Sequence, residues 1–129
     1  MQVSIKRCNK YEHPGTLSVF MSKLHSEMVE FVMSQERVTS RSGLNLPEER
    51  RKTAEYTADL ILTAYATGRT LDELFIEETA SHIHEAWLQR NAERAAPEER
   101  CPYAELSDSE KEKDHVFVRA GIEGLKSLT

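Results

Sequence analysis

Glu27 and Glu30 stand three residues apart, and Glu55 and Asp59 four apart, in two stretches whose apolar residues recur at helical intervals. Either spacing puts a pair of carboxylates on one face of a helix. Two such faces turned toward each other would hold a hard, oxygen-preferring cation such as Mg²⁺ beside the phosphates of a nucleotide. The plainer reading is acids on the solvated side of amphipathic helices. A basic group, Arg37, Arg41, Arg50, Arg51 and Lys52, surrounds a Ser/Thr/Gly stretch that leads into Pro47. A helix beginning there could receive a phosphate at its N-terminus. No Gly-rich phosphate motif accompanies it, and ordinary basic surface is the competing reading. His82 and His84 are two residues apart, so on a helix their rings point in different directions and do not chelate one ion. His84-Glu85 lacks the second histidine of a zinc-protease motif. Cys8 and Cys101 are too far apart for a CxxC pair, and read as free thiols in a reducing compartment.

These residues need helices to position them. Leu17, Phe20, Leu24, Met28 and Phe31 recur at threes and fours, predicting a helix from Thr16, as its cap, to about Gln35. Ser34 to Leu46 is nearly devoid of apolar residues and reads as a loop or frayed helix end. Pro47-Glu48-Glu49 has the chemistry of a helix start. That helix runs to about Thr67 with Ala54, Ala58, Ile61 and Tyr65 on one face, and Gly68 closes it. Thr70 with Glu73 forms a capping box for the next helix, whose stripe is Leu74, Ala80, Ile83 and Trp87 and which fades near Ala95. After a loop containing Pro97 and Pro102, Ser107 and Glu110 form a second box. The last helix extends to about Ser127, burying Val118, Ile122 and Leu125. Gln2 to Cys8 alternates with period two, as a short strand or extended arm would. The expected fold is all-α: an irregular bundle of about four helices with a short N-terminal extended segment. Residues 1–69 form an N-terminal helical segment with its arm, and 70–129 a C-terminal module.

At 129 residues the chain suits one domain that folds without metal or disulfides. Its 22 acids outnumber 17 bases, a formal net charge of −5. That balance argues against a nucleic-acid-binding coat. The first ten residues carry no hydrophobic run of the kind a secretory signal needs, and no apolar stretch approaches the ~18 residues of a membrane span. Cytoplasmic residence, without membrane contact, is the expectation.

Two neighbouring pieces then read together. Leu71-Asp72-Glu73-Leu74 is followed by His82-Ile83-His84-Glu85-Ala86-Trp87. Further on, Cys101-Pro102-Tyr103-Ala104-Glu105-Leu106 is followed by Ser109-Glu110-Lys111-Glu112-Lys113-Asp114. In order and combination these resemble the ryanodine-receptor-type repeat, with its His-Glu-x-x-Trp-like helix, Pro-Tyr-x-x-Leu corner and Glu-Lys-x-x-Asp helix start. The resemblance covers residues 70 to 128. Between the two motifs the chain carries Asn91 to Arg100, where family members commonly have a Gly-Trp and Tyr-Gly stretch.

The resemblance implies a module without catalytic residues or cofactor. Its bacterial and phage relatives look like ligand- or nucleotide-sensing parts. A nucleotide needs an aromatic face for its base and cationic donors for its phosphates. Trp87 and Tyr103 are the candidates for the first, and Arg90, Arg94, Lys111 and His115 for the second, with His84 beside them. The competing reading makes Trp87 core and the cations solvated surface. The receptors' repeats come in pairs about a pseudo-twofold axis, so a chain with one copy is expected to pair as a homodimer or a higher homo-oligomer.

A resemblance of another class attaches to the four acids. Their layout is similar to the Glu-x-x-Glu and Glu-x-x-Asp pairs of all-α nucleoside-triphosphate pyrophosphatases of the MazG type, although the second pair here has three intervening residues. The leading expectation is a non-catalytic module that binds a nucleotide or nucleotide-derived signal. A structural or protein-interaction module comes next, and a pyrophosphatase third.

Overall fold

The computed structural model describes residues 14–41 and 46–129. The arm expected at Gln2 to Cys8 lies outside them. Five α-helices follow one another: α1 (Pro14–Met33), α2 (Glu36–Arg41), α3 (Pro47–Ala66), α4 (Glu73–Asn91) and α5 (Asp108–Leu128). Two single-turn 3₁₀ segments, Pro97–Glu99 and Tyr103–Glu105, lie between α4 and α5. The described residues contain no strand, and the fold is an all-α bundle.

α1 and α3 run antiparallel. Glu30 pairs with Arg51 at 2.8 Å, while His25 Nε2 lies 2.9 Å from Asp59 and 3.1 Å from the Glu55 carbonyl oxygen, so the residue numbers run in opposite directions along the contact. α5 touches all four other helices. At Gly121 it comes so close to α3 that a Cβ there would lie 2.5 Å from Ile61 Cδ1, so any side chain would force the buried Ile61 to shift. One contiguous core results. It takes Leu24, Met28, Val29 and Val32 from α1, and Ala54, Ala58, Ile61 and Leu62 from α3. Phe75, Ile76, Ala80 and Ile83 of α4 join Phe117, Val118, Ile122 and Leu125 of α5. Each large aliphatic side chain so buried contributes roughly 1.5–3 kcal/mol. Residues 1–69 and 70–129 both supply this core.

The helix ends follow local chemistry. Gly68 adopts φ +79°, and its N–H donates to the Tyr65 carbonyl at 3.2 Å while the Arg69 N–H reaches the Ala64 carbonyl at 2.9 Å. This is the paired closure that a left-handed residue after a helix permits. α4 begins later than Thr70 and Glu73 suggested. Its cap is Asp72, whose carboxylate accepts from the Phe75 N–H at 3.0 Å. A carboxylate caps better than a threonine hydroxyl, and the chain uses Arg69 to Leu71 to turn after Gly68. The α4 stripe shifts with it, so that Phe75 and Ile76 are buried and Leu74 is 63% exposed. Ser107 caps α5 as expected, accepting from the Glu110 N–H at 3.2 Å. α1 begins at Pro14, two residues ahead of Thr16, because proline suits the first turn. Phe20 and Tyr65 are exposed although their spacing places them with buried neighbours; Tyr65 stands in the last turn of α3.

The segment expected to be a loop before Pro47 holds α2 instead. Its single valine, Val38, is fully buried, and Arg37 pairs with Glu123 of α5 at 2.6 Å. One buried residue anchors this short helix, too few for a periodicity to reveal it.

Candidate ligand-binding site

The proline at 102 sits at φ −58° and ψ 151°, extended backbone from which Tyr103 begins a 3₁₀ turn against α4. Tyr103 is 5% exposed. Its hydroxyl lies 2.7 Å from Nε2 of His115 on α5, and the same nitrogen lies 2.8 Å from the Glu77 carboxylate on α4. A carboxylate only accepts, so His115 Nε2–H donates to Glu77, and the Tyr103 hydroxyl donates to it as well. Burial, then the nearby Glu77 charge, pushes the phenol well above its ordinary pKa and keeps it a neutral donor. Glu77 itself is held below the usual carboxylate range: burial works against this, and the hydrogen bonds from His115 and Tyr103 outweigh it.

His84 is also buried, and its Nε2–H donates to the Cys101 carbonyl at 2.8 Å, tying α4 to the segment before the corner. Its ring stacks on Trp87 with centroids 6.4 Å apart and planes 18° from parallel, and meets Tyr103 at 6.4 Å with a 54° tilt. Trp87 is half-buried rather than sealed in the core. Lys111 Nζ stands 5.3 Å from the centroid of the Tyr103 ring, cation–π range, and no carboxylate among the described residues lies within ion-pair distance of it.

Arg90 and Arg94 lie elsewhere, at the far end of α4. There Glu49, 7% exposed, receives Arg90 Nε–H at 3.0 Å and Asn91 Nδ2–H at 3.1 Å on one oxygen. Arg90 also donates to the Thr53 hydroxyl at 3.1 Å. Lys52 Nζ and Arg94 Nη2 approach the second oxygen at 3.6 and 3.9 Å. Burial opposes ionisation of Glu49, and the Asn91 and Arg90 hydrogen bonds overcome it, so its pKa lies below the ordinary value. The nominated residues thus divide into an aromatic corner of His84, Trp87, Tyr103, Lys111 and His115, and a basic end of Arg90 and Arg94.

Asp114, in the helix-start motif, is pushed well above its ordinary pKa, first by burial and then by the Glu110 charge. Its neighbour Lys113 pairs with Glu110 at 3.0 Å and Glu99 at 3.4 Å.

The four acids proposed for Mg²⁺ do not assemble. Glu30 is taken by Arg51 and Asp59 by His25, while Glu27 and Glu55 are exposed. Among the described residues no three His, Cys, Asp or Glu side chains gather as a metal site. The basic group near Pro47 is dispersed too, with Arg37 on Glu123, Arg51 on Glu30 and Lys52 on Glu49, and the Arg41 side chain outside the described ones.

Glu77, Glu49 and Asn91 went unnoticed in the sequence. Asn91 left a trace: it continues the line Ile83, Trp87 at helical spacing, and a polar residue on an apolar stripe implies a buried partner. Glu49 left none, because an acid in a first turn is what any helix start favours. No described helix is long and apolar enough to cross a membrane. No family model matches this chain, and neither a curated protein nor a solved structure matches it.

Proposed function

We propose that this chain is a non-catalytic, cytoplasmic ryanodine-repeat-like module that binds a small anionic ligand of the nucleotide class. The observation that carries the reading is the position of Trp87. Its indole is half-buried, stacked on His84, and stands on α4 between His84 and the cation Arg90, with Arg94 just past the helix end. An aromatic face with one cation about one turn away and another about two suits a base and its phosphate. Tyr103 and His84 serve this reading from beneath: both are buried with their polar atoms bonded, so they hold the corner in shape. Lys111, over the Tyr103 ring, is the cation at the corner that makes no ion pair among the described residues. The packing of the Pro-Tyr corner against α4 and the Ser107 cap of α5 support the repeat-like assignment.

A thermal-shift screen against nucleoside mono-, di- and triphosphates and cyclic nucleotides tests the proposal. A ligand at a hundred times its Kd stabilises the folded form by about 2.7 kcal/mol, a rise of several degrees in Tm. A flat response across the set would defeat it. Pairing of two copies belongs to the same proposal, and light scattering that gives a monomer mass at high concentration removes it.

A second reading, a structural or protein-interaction module, is favoured by the exposed Leu74, Phe20, Tyr65, Leu46 and Leu128. It predicts no response to any nucleotide.

A further inference from the structure

Glu49 is served unequally by its neighbours. Its first oxygen accepts two hydrogen bonds, from Arg90 and Asn91. Its second has no donor within hydrogen-bond distance among the described residues, although Lys52 Nζ at 3.6 Å and Arg94 Nη2 at 3.9 Å both lean toward it. Neither of these cations pairs with any other carboxylate among the described residues. Both are half in water, Lys52 at 50% and Arg94 at 53% exposure, whereas Arg90 is engaged with Glu49 and Thr53. Three cations therefore share one carboxylate, an excess of two positive charges in a chain whose net charge is −5.

We infer that Lys52 of α3 and Arg94, just past α4, together hold a phosphate monoester dianion. The charge is right: two negative charges offset the excess. The reach is right as well. Both cations approach the same oxygen, which keeps them within roughly 8 Å of each other, a gap that one phosphate spans with two charge-assisted hydrogen bonds of about 2.8 Å. Arg94 Nη2, the nitrogen that approaches Glu49, also donates to the Asn91 side-chain oxygen at 2.7 Å, which fixes the guanidinium while leaving its second N–H and the other two nitrogens available. Arg90 and Asn91 are positioning residues: they hold Glu49 down so that its second oxygen gathers the two cations without quenching them. The inference takes the binding-module reading as its premise and assigns the phosphate end, leaving the base to Trp87.

The test uses the whole chain with inorganic phosphate, AMP and adenosine as probes, at low salt and pH 7.5. Side-chain NMR signals are followed for the Arg94 Nε–H and the Trp87 indole N–H. Phosphate and AMP should both move Arg94, and adenosine should not. Lys52→Gln and Arg94→Gln should each weaken phosphate and AMP binding about tenfold, the loss of one good charge-assisted contact; Lys52→Gln should leave Tm unchanged, and Arg94→Gln, which also takes a donor from the buried Asn91 side-chain oxygen, should lower it modestly. An Arg94 signal that ignores phosphate and AMP overturns the inference, as does binding that survives both substitutions. Trp87 reports separately. If nucleotides move Trp87 while Arg94 stays silent, the phosphate assignment falls and the module reading survives. If phosphate moves Arg94 and no nucleotide moves Trp87, the module reading falls and the anion site remains.

Discussion

At the far end of α4, Glu49 is shut in with Asn91, Arg90 and Thr53; near the start of the same helix, Glu77 takes bonds from His115 and Tyr103 with half its side chain in water. Both carboxylates lie below the ordinary pKa, and in both cases hydrogen bonds overcome a burial cost. Removal of the two would have different consequences. Glu49 joins α3 to α4 across the sequence, and its loss would strand a buried amide among three cations. Glu77 can be replaced by water. A shared pKa direction therefore does not distinguish a group the fold depends on from one the solvent can substitute.

The strongest way to break this contrast is Glu49→Ala. Loss of charge-assisted hydrogen bonds at a buried carboxylate should cost about 2–3 kcal/mol in urea unfolding at pH 7, against under about 1 kcal/mol for Glu77→Ala. Equal losses would erase the distinction. The sign with pH follows. Because the folded pKa of Glu49 is depressed, its contribution is present above the unfolded value of about 4.3 and fades as pH falls through the folded one. The Glu49→Ala deficit should accordingly shrink below pH 4.

Asp114 runs the other way and sharpens the comparison. Its folded pKa is raised, so the folded chain holds this proton where the unfolded chain has released it. Stability from that proton is present below the unfolded value of about 3.9 and lost as pH rises toward the folded one. Asp114→Asn should raise the urea midpoint at pH 7 and leave it unchanged at pH 3. A midpoint that drops at pH 7 would mean the carboxyl makes a bond worth keeping. A smaller effect than that of Glu49→Ala belongs to Tyr103→Phe. The ring stays packed, and the loss of one hydroxyl bond should cost about 1 kcal/mol, visible as a modest fall in midpoint.

The helices were legible because each repeats its apolar residues often enough to declare a face. Ala54, Ala58 and Ile61 mark α3, and Val118, Ile122 and Leu125 mark α5. α2 was not legible, since among its described side chains only Val38 is buried. The start of α4 misled by two residues because Thr70 and Asp72 are both competent caps, and only the turn after Gly68 decides between them. Within the candidate site, Trp87 is legible because it continues the apolar stripe of its helix, whereas Tyr103 is reached only through the resemblance of its Pro-Tyr corner. The polar partners are not legible. Glu77 and Glu49 meet residues 38 and 41 or 42 positions away, and such pairings follow from how the helices cross rather than from any local pattern.

The closeness of α5 to α3 at Gly121 has a bearing on how the chain comes to be folded at all. During synthesis α1 to α4 leave the ribosome before α5 does. Until it follows, their apolar sides lack the surface they share with it. A bulkier side chain at position 121 would therefore do its harm when α5 docks, by pressing Ile61 out of its place in α3.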